Sequence, residues 1–393
     1  MDKKLRVVMT NDVYFPDTDG VINCVHNLMM NSLDLFDGIV VAPHHKNYID
    51  EFPYRVIRVK SAKIPFYNMM YARPKADKQL IEQLDEFKPD IIHIHSPFGL
   101  GKFAIKYGKE HNIPVIATFH TNFRPIFQSI VKSKKIAELG VQQLGKVYNG
   151  CDRVLVISDK IQKLAESFGV TRKFDRAHFG TKLLKVDDTT PLIKKANEIF
   201  GLKEDELVFL YVGRVQELKR IDFSMQMLHE LKMRGLRFKF YVVGTGMAME
   251  ELKKLAKELD IEEEVIFTGF MPDEQLPLIN ARANLFLFPS LYDSWGLVKL
   301  EAGAFKTPTI CIKDSNAGAD IIDGVNGFTT EDDVYAYADK VQQIVKDKDN
   351  LRKVGAKAQE TLYETWRDSA LCLLETYKEV IKEYNYKHKN NDK

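Results

Sequence analysis

The sequence predicts an α/β protein with two doubly wound parallel sheets, and three observations support this fold class. Short β-rich runs alternate with amphipathic helical stretches, which is typical of a parallel sheet covered by helices on both faces. The alternation restarts after a transition at residues 177–190. A chain of 393 residues is also too long for one ordinary core. We therefore expect two Rossmann-like domains, at 1–185 and 186–365, that face a central cleft, followed by a C-terminal helix and polar tail at 366–393.

The predicted strands are short apolar runs rich in β-branched and aromatic residues. In the first domain they lie at 5–10, 38–43, 54–60, 90–95, 114–120 and 153–158. In the second domain they lie at 207–213, 238–244, 264–270, 284–290 and 307–313. Helical patterns separate them, for example at 76–87, 101–111, 222–234 and 250–259. Ligands of such folds bind beyond the carboxyl ends of the strands, so the residues that follow each strand are the candidates for ligand contact.

Composition and charge limit the classes of partner. The net charge of +2 is unevenly divided, because basic residues are in excess before residue 185 and acidic residues after it. No nucleic-acid-binding motif occurs, and we expect no nucleic-acid partner. No apolar run is long enough to span a membrane, and the four cysteines are far apart, which favours a cytoplasmic protein with reduced thiols.

Two segments of the first half interleave basic residues with aromatic and aliphatic ones, at 59–75 and 123–140. Basic residues beside apolar side chains are how a peripheral protein lies on an anionic bilayer. The alternative is an amphipathic helix that packs on its own domain, and the sequence leaves both interpretations open.

The segment SLYDSWGLVKLE, residues 290–301, follows a strand and opens a predicted helix near Ser294. Gly296 lets a ligand approach the first amides of that helix, and such amides hold phosphate. Glu301 would then lie in the second turn, about 10 Å along the axis at 1.5 Å per residue. That length suits a nucleoside diphosphate. The alternative is that Asp293 or Ser294 only caps the helix.

Arg214 and Lys219 follow the first strand of the second half, in VGRVQELKR. Two cations at the carboxyl end of a parallel strand, opposite a helix start, can neutralise a diphosphate. Solvated surface cations are the alternative.

Other motifs give weaker signals. Gly244 and Gly246 lack the third glycine of a dinucleotide fingerprint. The backbone around Phe270 and Met271 would suit a base edge, although turn chemistry explains this segment as well.

The metal-ligating residue types in the first half do not predict a metal site. Asp17 and Asp19 have the spacing of some metal-binding pairs but lie in a turn-rich loop without a third ligand. That loop leads to Gly20, where the backbone is expected to come close to another group. His93 and His95 share a strand face, yet no Asp or Glu pattern accompanies them, so we expect structural histidines.

His120 differs from the other histidines because it leaves its strand directly toward the expected cleft. We therefore single it out, together with the residues up to Phe123, as a candidate for the ligand site.

Four motifs, GRVQELK, FTGFMP, FPSLYDSWGLVKLEAGA and DGVNGF, occur in an order that resembles the retaining glycosyltransferases of the GT-B family. That family includes bacterial diacylglycerol glucosyltransferases and phosphatidylinositol mannosyltransferases. The resemblance runs from Asn11 to about Gly327.

The resemblance implies a role for each matched residue. Asp293 would contact the transferred sugar and Glu301 the ribose, while Arg214 and Lys219 would hold the diphosphate. The remaining donor-side residues would be Gly20, Met271, Gly296, Leu297 and Val298. On the acceptor side the residues would be His120, Thr121 and Phe123, with His120 near the anomeric carbon.

Two positions depart from the family pattern. Asp293 stands where the family usually has Glu, which shortens the reach by one methylene group. AHFGTK, residues 177–182, replaces the usual Pro-Asn-Gly before the second domain. The cationic residues proposed to bind phosphate are unaffected.

The resemblance implies transfer of a hexose, glucose in the simplest case, from a nucleotide sugar such as UDP-glucose to a membrane lipid such as diacylglycerol. It implies no metal ion and no cofactor, and it predicts no partner protein. The enzyme would associate peripherally with the inner face of the membrane through its first domain. A soluble or polysaccharide acceptor, a sugar-nucleotide epimerase and a non-catalytic glycosylation partner remain alternatives.

Overall fold

The structure is a computed structural model that describes residues 3–63, 70–74, 77–131, 133–291, 293 and 295–391. The chain divides into two compact units. Unit 1 contains residues 1–179 together with 366–393, and unit 2 contains residues 180–365.

Unit 1 alternates strands and helices as its apolar runs predict. Its strands are β1 (Arg6–Thr10), β2 (Asp37–Pro43), β3 (Arg55–Val59), β4 (Ser61–Lys63), β5 (Met70–Ala72), β6 (Ile91–Ile94), β7 (Val115–Thr118), β8 (Arg153–Val156) and β9 (Phe174–Arg176). Its helices before unit 2 are α1 (Gly20–Met30), α2 (Lys78–Phe87), α3 (Gly99–Glu110), α4 (Phe123–Ile130), α5 (Lys134–Tyr148) and α6 (Asp159–Ser167).

The main sheet of unit 1 is parallel and has the order β3-β2-β1-β6-β7-β8-β9. The order reverses between β1 and β6, whose residues pair from Val7 with Ile91 to Thr10 with Ile94. Such a reversal opens a crevice at the carboxyl ends of the two central strands. The β4 and β5 strands form a separate antiparallel pair.

Unit 2 repeats the alternation. Its strands are β10 (Val208–Val212), β11 (Lys239–Val243), β12 (Val265–Gly269), β13 (Leu285–Phe288), β14 (Thr309–Ile312) and β15 (Phe328–Thr330). Its helices are α7 (Thr190–Phe200), α8 (Ile221–Met233), α9 (Met249–Glu258), α10 (Leu276–Arg282), α11 (Val298–Ala304), α12 (Val334–Lys346) and α13 (Lys348–Leu362), with a short 3₁₀ turn at Glu217–Lys219.

The sheet of unit 2 is also parallel, with the order β12-β11-β10-β13-β14-β15 and a reversal between β10 and β13. Successive residues of one strand enter apolar clusters on opposite faces. Phe209 and Tyr211 belong to one cluster, and Val208 and Leu210 belong to the other. Since both faces are buried, the strands are apolar along their whole length, as expected for a doubly wound sheet. The predicted fold class is confirmed for both units.

The last helix, α14 (Trp366–Asn391), packs on unit 1. Tyr377 is fully buried, and its hydroxyl lies 2.8 Å from His93 Nδ1 on β6. Arg153 at the start of β8 is buried and donates to Glu383 over 2.7 Å. Within the described ranges, no helix is both long and apolar enough to cross a bilayer.

Candidate functional site

The candidate site in unit 2 lies where β10 and β13 run side by side at the centre of the sheet. Loops leave the carboxyl ends of both strands and carry the residues singled out by the sequence. The loop after β10 contains Arg214 and Lys219, and the segment after β13 contains Asp293. This is the reversal point at which doubly wound sheets bind ligands.

Lys219 and Asp293 form a direct ion pair in this site. Lys219 Nζ lies 2.5 Å from Asp293 Oδ1, and both side chains are about one fifth exposed. The other carboxylate oxygen, Asp293 Oδ2, is buried and has no hydrogen-bond partner among the described residues. An ammonium beside a carboxylate with one unused oxygen can bind both an anion and a hydroxyl.

Arg214 projects into solvent from the same loop. Its carbonyl oxygen accepts a hydrogen bond from the buried Tyr211 hydroxyl at 3.0 Å, which fixes the backbone where the strand ends. Among the residues that the structure describes, the guanidinium forms no hydrogen bond or ion pair. An exposed guanidinium on an anchored backbone is available to an anionic ligand.

The helix after Asp293 begins later than the sequence predicts. We expected a start near Ser294, which lies outside the described residues, but α11 begins at Val298. Gly296 explains the difference, because its φ of +84° is left-handed and cannot continue a right-handed helix. A Cβ at this position would also lie 2.3 Å from the Phe288 ring.

The amides at the start of α11 are the groups to which the sequence assigns phosphate binding. The amides of Lys299 and Leu300 donate to the carbonyls of Gly296 and Leu297. Those of Leu297 and Val298 precede these bonds and have no acceptor within the described part of the chain. Within the described residues, these two amides match the orphan donors that a helix start presents to a ligand or water.

Glu301 lies in the first turn of α11, not in the second as predicted, because the helix starts later. Its carboxyl group is half-buried. Burial raises the pKa of this carboxyl to about 7, while Lys182 opposes the rise and Asp273 adds to it. The group therefore titrates near neutral pH, and a hydrogen-bonded ligand would shift its protonation.

The neighbouring loops of unit 2 have structural roles. A Cβ at Gly244 would lie 1.9 Å from the Gly213 carbonyl oxygen, and a Cβ at Gly246 would lie 2.1 Å from that of Val215. These glycines therefore serve close backbone packing. Met271 is buried in a core cluster, so only its backbone is open to the base-edge contact predicted for it, whereas Phe270 is exposed.

Unit 1 brings three histidines together at the ends of β6 and β7. His95 Nδ1 lies 2.9 Å from His120 Nε2, and the His93 and His95 rings are 4.1 Å apart. Burial lowers the pKa of His120 and of His93 to about 3, and it lowers the pKa of His95 well below its ordinary value. All three are neutral at pH 7. One ring of the His95–His120 pair donates and the other accepts.

The other residues that the sequence assigns to the acceptor side follow His120 closely. His120 stacks on Phe179 with ring centroids 5.5 Å apart. Thr121 is half-buried, and Phe123, the first residue of α4, meets the edge of Phe98 at 5.2 Å. These side chains give unit 1 a patch that is mostly aromatic beside a neutral histidine.

The loop before α1 is organised around its two aspartates. Asp19 caps α1 by accepting the Ile22 amide at 2.7 Å. Asp17 Oδ2 faces His45 Nε2 at 3.6 Å, and burial raises the pKa of the Asp17 carboxyl. Gly20 is the first residue of α1, not a loop residue, and no described atom lies within 4 Å of a Cβ built there. Among the described residues nothing comes close to Gly20, so the close approach predicted there stays a prediction about a ligand.

Two buried polar residues, Asp12 and Lys299, were not predicted from the sequence. Asp12 follows β1 and is buried. Its carboxylate accepts hydrogen bonds from Ser96 Oγ at 2.7 Å and from the Leu100 amide at 2.9 Å, and through the second bond it caps α3 from another segment. Burial raises the pKa of its carboxyl to about 6. Its position directly after a strand was the available signal. The buried Lys299 of α11 had no such signal, because it lies within an apolar helix.

Two family models match the chain. One, described as "Glycosyltransferase Family 4", matches residues 19–179, and the other, "Glycosyl transferases group 1", matches residues 193–361. Among curated proteins, an alpha-monoglucosyldiacylglycerol synthase of Streptococcus pneumoniae is 25% identical over 315 residues, which cover 78% of this chain and 70% of that protein. One of Acholeplasma laidlawii is 24% identical over 391 residues, covering 91% of this chain and 96% of that protein.

Another relative is a D-inositol 3-phosphate glycosyltransferase of Mycolicibacterium smegmatis. It is 27% identical over 306 residues, covering 76% of this chain and 69% of that protein.

Solved structures share the fold. Anabaena HepE in complex with UDP and glucose superposes with a TM-score of 0.74 at 16% identity, covering 95% of this chain and all of that chain, 100%. A sucrose-phosphate synthase of Thermosynechococcus elongatus gives a TM-score of 0.72 at 18% identity, covering 97% and 100%. With both family models in sequence order and this two-unit architecture, the chain belongs to the GT-B glycosyltransferases of the family 4 type.

Proposed function

We propose that the protein is a retaining glycosyltransferase that moves a hexose from a nucleotide sugar, with UDP-glucose as the donor, to a membrane lipid such as diacylglycerol. The observation that carries the proposal is the 2.5 Å contact between Lys219 and Asp293 at the reversal point of the unit 2 sheet. The two alpha-monoglucosyldiacylglycerol synthases among the relatives support the glucose and the lipid acceptor.

The donor diphosphate would be held by cations and amides of unit 2. Arg214 is exposed, and Lys219 needs only to exchange part of its contact with Asp293 for a phosphate oxygen. The amides of Leu297 and Val298 add two neutral donors. Negative charge grows on the diphosphate as the sugar leaves, so these groups stabilise the transition state more than the bound donor.

Asp293 would position the sugar. Its free oxygen, Oδ2, is buried beside the lysine and can accept a hydrogen bond from one sugar hydroxyl. The side chain is one methylene shorter than the family's usual Glu, so the hydroxyl must come closer to the β13 segment. Glu301 in its ionised form would accept hydrogen bonds from the ribose.

The transfer we propose breaks the bond between the anomeric carbon and the diphosphate oxygen, and it forms a bond to the acceptor oxygen on the same face of the sugar. The acceptor hydroxyl proton passes to the departing diphosphate. The pKa of His120, lowered to about 3 by burial, keeps the ring neutral at pH 7. We assign His120, Thr121 and Phe123 to the acceptor side as hydrogen-bonding and apolar contacts.

We propose that this chemistry needs neither a metal ion nor a cofactor, because Arg214 and Lys219 already supply the positive charge. Transfer measured in excess EDTA is then expected to equal transfer measured without it. A requirement for Mg²⁺ or Mn²⁺ would contradict this part of the proposal.

We also propose that unit 1 rests on an anionic membrane through the α4–α5 hairpin. Four aliphatic side chains on this hairpin are between 44% and 58% exposed: Ile126, Ile130, Ile136 and Leu139. Lys134 and Lys135 begin α5 beside them. Residues 64–69 and 75 of the other basic segment, 59–75, lie outside the described residues, and we do not assign that segment to the membrane surface.

A donor screen tests the proposed activity. The protein is incubated with UDP-glucose, UDP-galactose, UDP-GlcNAc and GDP-mannose in the presence of diacylglycerol vesicles, and products are detected by mass. We expect glucosyl diacylglycerol from UDP-glucose, with an α-linkage by NMR.

Arg214→Ala and its control separate the phosphate site from general effects. Arg214→Ala is expected to lose about 2 to 4 kcal/mol of transition-state stabilisation, as for other groups that stabilise developing charge. Arg237 is also exposed and lies just before β11, at the opposite edge of the sheet, so Arg237→Ala should keep full activity. Full activity in Arg214→Ala would contradict the assigned phosphate contact. Formation of epimerised UDP-GlcNAc by the unmodified protein without an acceptor would favour an epimerase.

A further inference from the structure

A buried lysine lies next to the proposed donor site without facing it. Lys299, the second residue of α11, has a fully buried side chain. Its Nζ donates to the Ala317 carbonyl oxygen at 2.7 Å and contacts the Asp320 carboxylate. The same Nζ lies 3.7 Å from the centre of the Trp295 ring. A buried ammonium is costly unless it is paired, so these contacts call for an explanation.

The three contacts of Lys299 join two neighbouring loops of unit 2. Asp320 and Ala317 belong to the loop after β14, and Trp295 belongs to the segment that carries Asp293. A cation over the face of an indole attracts the ring, and this attraction is stronger in a desolvated place. Lys299 therefore links the Trp295 ring to the loop that carries Ala317 and Asp320.

The segment between β13 and α11 needs such support. Asp293 Oδ2 and Trp295 Nε1 are both buried and have no hydrogen-bond partner within the described residues. Gly296 adds a left-handed turn directly afterwards. A short segment with unsatisfied polar atoms and a glycine turn holds its geometry only when its neighbours do so.

We propose that Lys299 is a positioning residue for the transfer reaction. Through Trp295 it holds the turn at Gly296 and Leu297, so that the amides before α11 and the Asp293 carboxylate close by stay in place when the donor binds. This inference rests on the proposed function for its effect on turnover, whereas the contact with Trp295 can be measured without any activity. Lys299 touches neither Arg214 nor Lys219, so nucleotide affinity should depend on it less than turnover does.

The test uses the full chain and three variants, Lys299→Met, Asp320→Asn and the double variant. Lys299→Met is expected to lower kcat for glucosyl transfer by about 10- to 100-fold, the range caused by misplacing a reacting group by about 1 Å. Affinity for UDP, measured by calorimetry, should stay within about threefold. Lys299→Arg, which keeps a cation over the ring, should retain more activity than Lys299→Met.

The double variant distinguishes positioning from simple loss of an ion pair. If Lys299→Met fails only because Asp320 is left unpaired, the double variant should recover. If Lys299 acts by holding Trp295, the double variant should remain as slow as Lys299→Met. Lys340→Met is the matched control, because Lys340 pairs with Asp323 at 2.8 Å on the surface of the same unit and should leave kcat unchanged.

Fluorescence provides the readout that does not depend on activity. The chain has two tryptophans, so Trp366→Phe leaves Trp295 as the single emitter. In that background Lys299→Met should shift the emission and increase quenching by acrylamide. Unchanged emission and quenching, or recovery of kcat in the double variant, would overturn the inference. Absence of UDP binding and transfer in the unmodified protein would instead overturn the proposed function, and the quenching comparison would still decide whether Lys299 holds Trp295.

Discussion

The Lys219–Asp293 pair suggests that one carboxylate has opposite effects on nucleotide binding and on transfer. In the free protein the ammonium lies 2.5 Å from Asp293 Oδ1, so a diphosphate must share this lysine with a carboxylate of its own charge. Asp293→Asn removes that competition and keeps the shape of the side chain. We expect UDP to bind about fivefold more tightly, which corresponds to the roughly 1 kcal/mol of a partly exposed ion pair, while glucosyl transfer falls.

Calorimetry with UDP at low and high salt, together with the transfer assay, measures both effects. The gain in affinity should shrink as salt screens the charges. Asp339→Asn serves as the control, since Asp339 pairs with Arg234 on the surface of unit 2 and should change neither quantity. Weaker UDP binding by Asp293→Asn would contradict the competition.

Glu301 should give unit 2 a pH dependence near neutrality. Its pKa is raised by burial to about 7, from an ordinary value of about 4.3 in unfolded chains. Between these values the folded protein binds more protons at this site than the unfolded chain. Its contribution to the free energy of unfolding is therefore largest at low pH and is lost as pH rises through 7.

The proposed ribose contact needs the ionised carboxylate, so nucleotide affinity should change in the opposite direction to stability. UDP affinity is expected to rise from pH 6 to pH 8, while the free energy of unfolding falls. Phosphate groups also titrate in this range, so each value is compared with that of Glu301→Gln. This variant should lack the contribution of the Glu301 carboxyl group to both pH trends. Equal pH profiles for the two proteins would remove Glu301 from the donor site.

Residue types alone predicted some site members and missed others for a physical reason. Lys219 and Asp293 follow strands that a parallel sheet brings together, so their proximity follows from topology. Lys299 lies in an apolar helix, and its partner Asp320 lies in another loop. Nothing in the local pattern distinguishes a buried lysine that is paired from an exposed one.

Among the elements, α11 shows how one residue moves a predicted boundary. The sequence predicts a helix from Ser294, because polar residues precede an apolar run. The left-handed φ of Gly296 delays the start to Val298, and the close contact with Phe288 would exclude a side chain there. Glu301 consequently moves from the second turn to the first. Turn chemistry of this kind depends on the packing of β13, which the segment itself does not encode.

The prediction on membrane binding concerns the α4–α5 hairpin. The two helices are joined by the Arg124–Glu138 ion pair at 2.9 Å and by Phe127 packing near Gly140, so their exposed aliphatic side chains are presented on a fixed scaffold. Apolar side chains beside lysines bind anionic lipid by burial and by charge. Ile126→Ser with Ile136→Ser is expected to weaken binding to phosphatidylglycerol vesicles by about tenfold.

Vesicle sedimentation measures this binding, and two controls accompany it. Ile199→Ser removes an equally exposed isoleucine from α7 of unit 2 and should have no effect. Neutral phosphatidylcholine vesicles should bind all variants weakly. Circular dichroism confirms that the double variant is folded, and unchanged binding by that variant would exclude the hairpin as the membrane surface.

For the whole molecule, alternation of strands and helices was enough to predict the fold, because each long apolar run has both faces buried. The strands that were missed, β4, β5, β9 and β15, have three residues each and lack the length that makes a run visible. Packing of α14 on unit 1 also escaped prediction. Its partners on β6 and β8 are more than 200 residues away in sequence, at separations of 284 and 230 residues, and no local pattern links such distant segments.

This discontinuous architecture makes unit 1 dependent on the last helix of the chain. α14 contributes the buried Trp366, Tyr377 and Val380, and it supplies Glu383 to the buried Arg153 guanidinium. Deleting residues 366–393 would expose this apolar surface and leave His93 Nδ1 without the Tyr377 hydroxyl. Large buried aromatic side chains are each worth about 3 to 5 kcal/mol, so losing Trp366 and Tyr377 together with the smaller Val380 approaches the whole stability of a typical domain.

We expect the deletion to abolish amide protection from hydrogen exchange in β1, β6 and β8, while β10, β11 and β13 of the continuous unit 2 keep theirs. UDP binding, which we assign to unit 2, should survive, and glucosyl transfer should be lost. Deleting only residues 389–393 is the control, because the side chains at that end of α14 are polar and should leave protection unchanged. Retained protection in β6 and β8 after the full deletion would mean that unit 1 folds without α14, and equal loss in both units would mean that they unfold together.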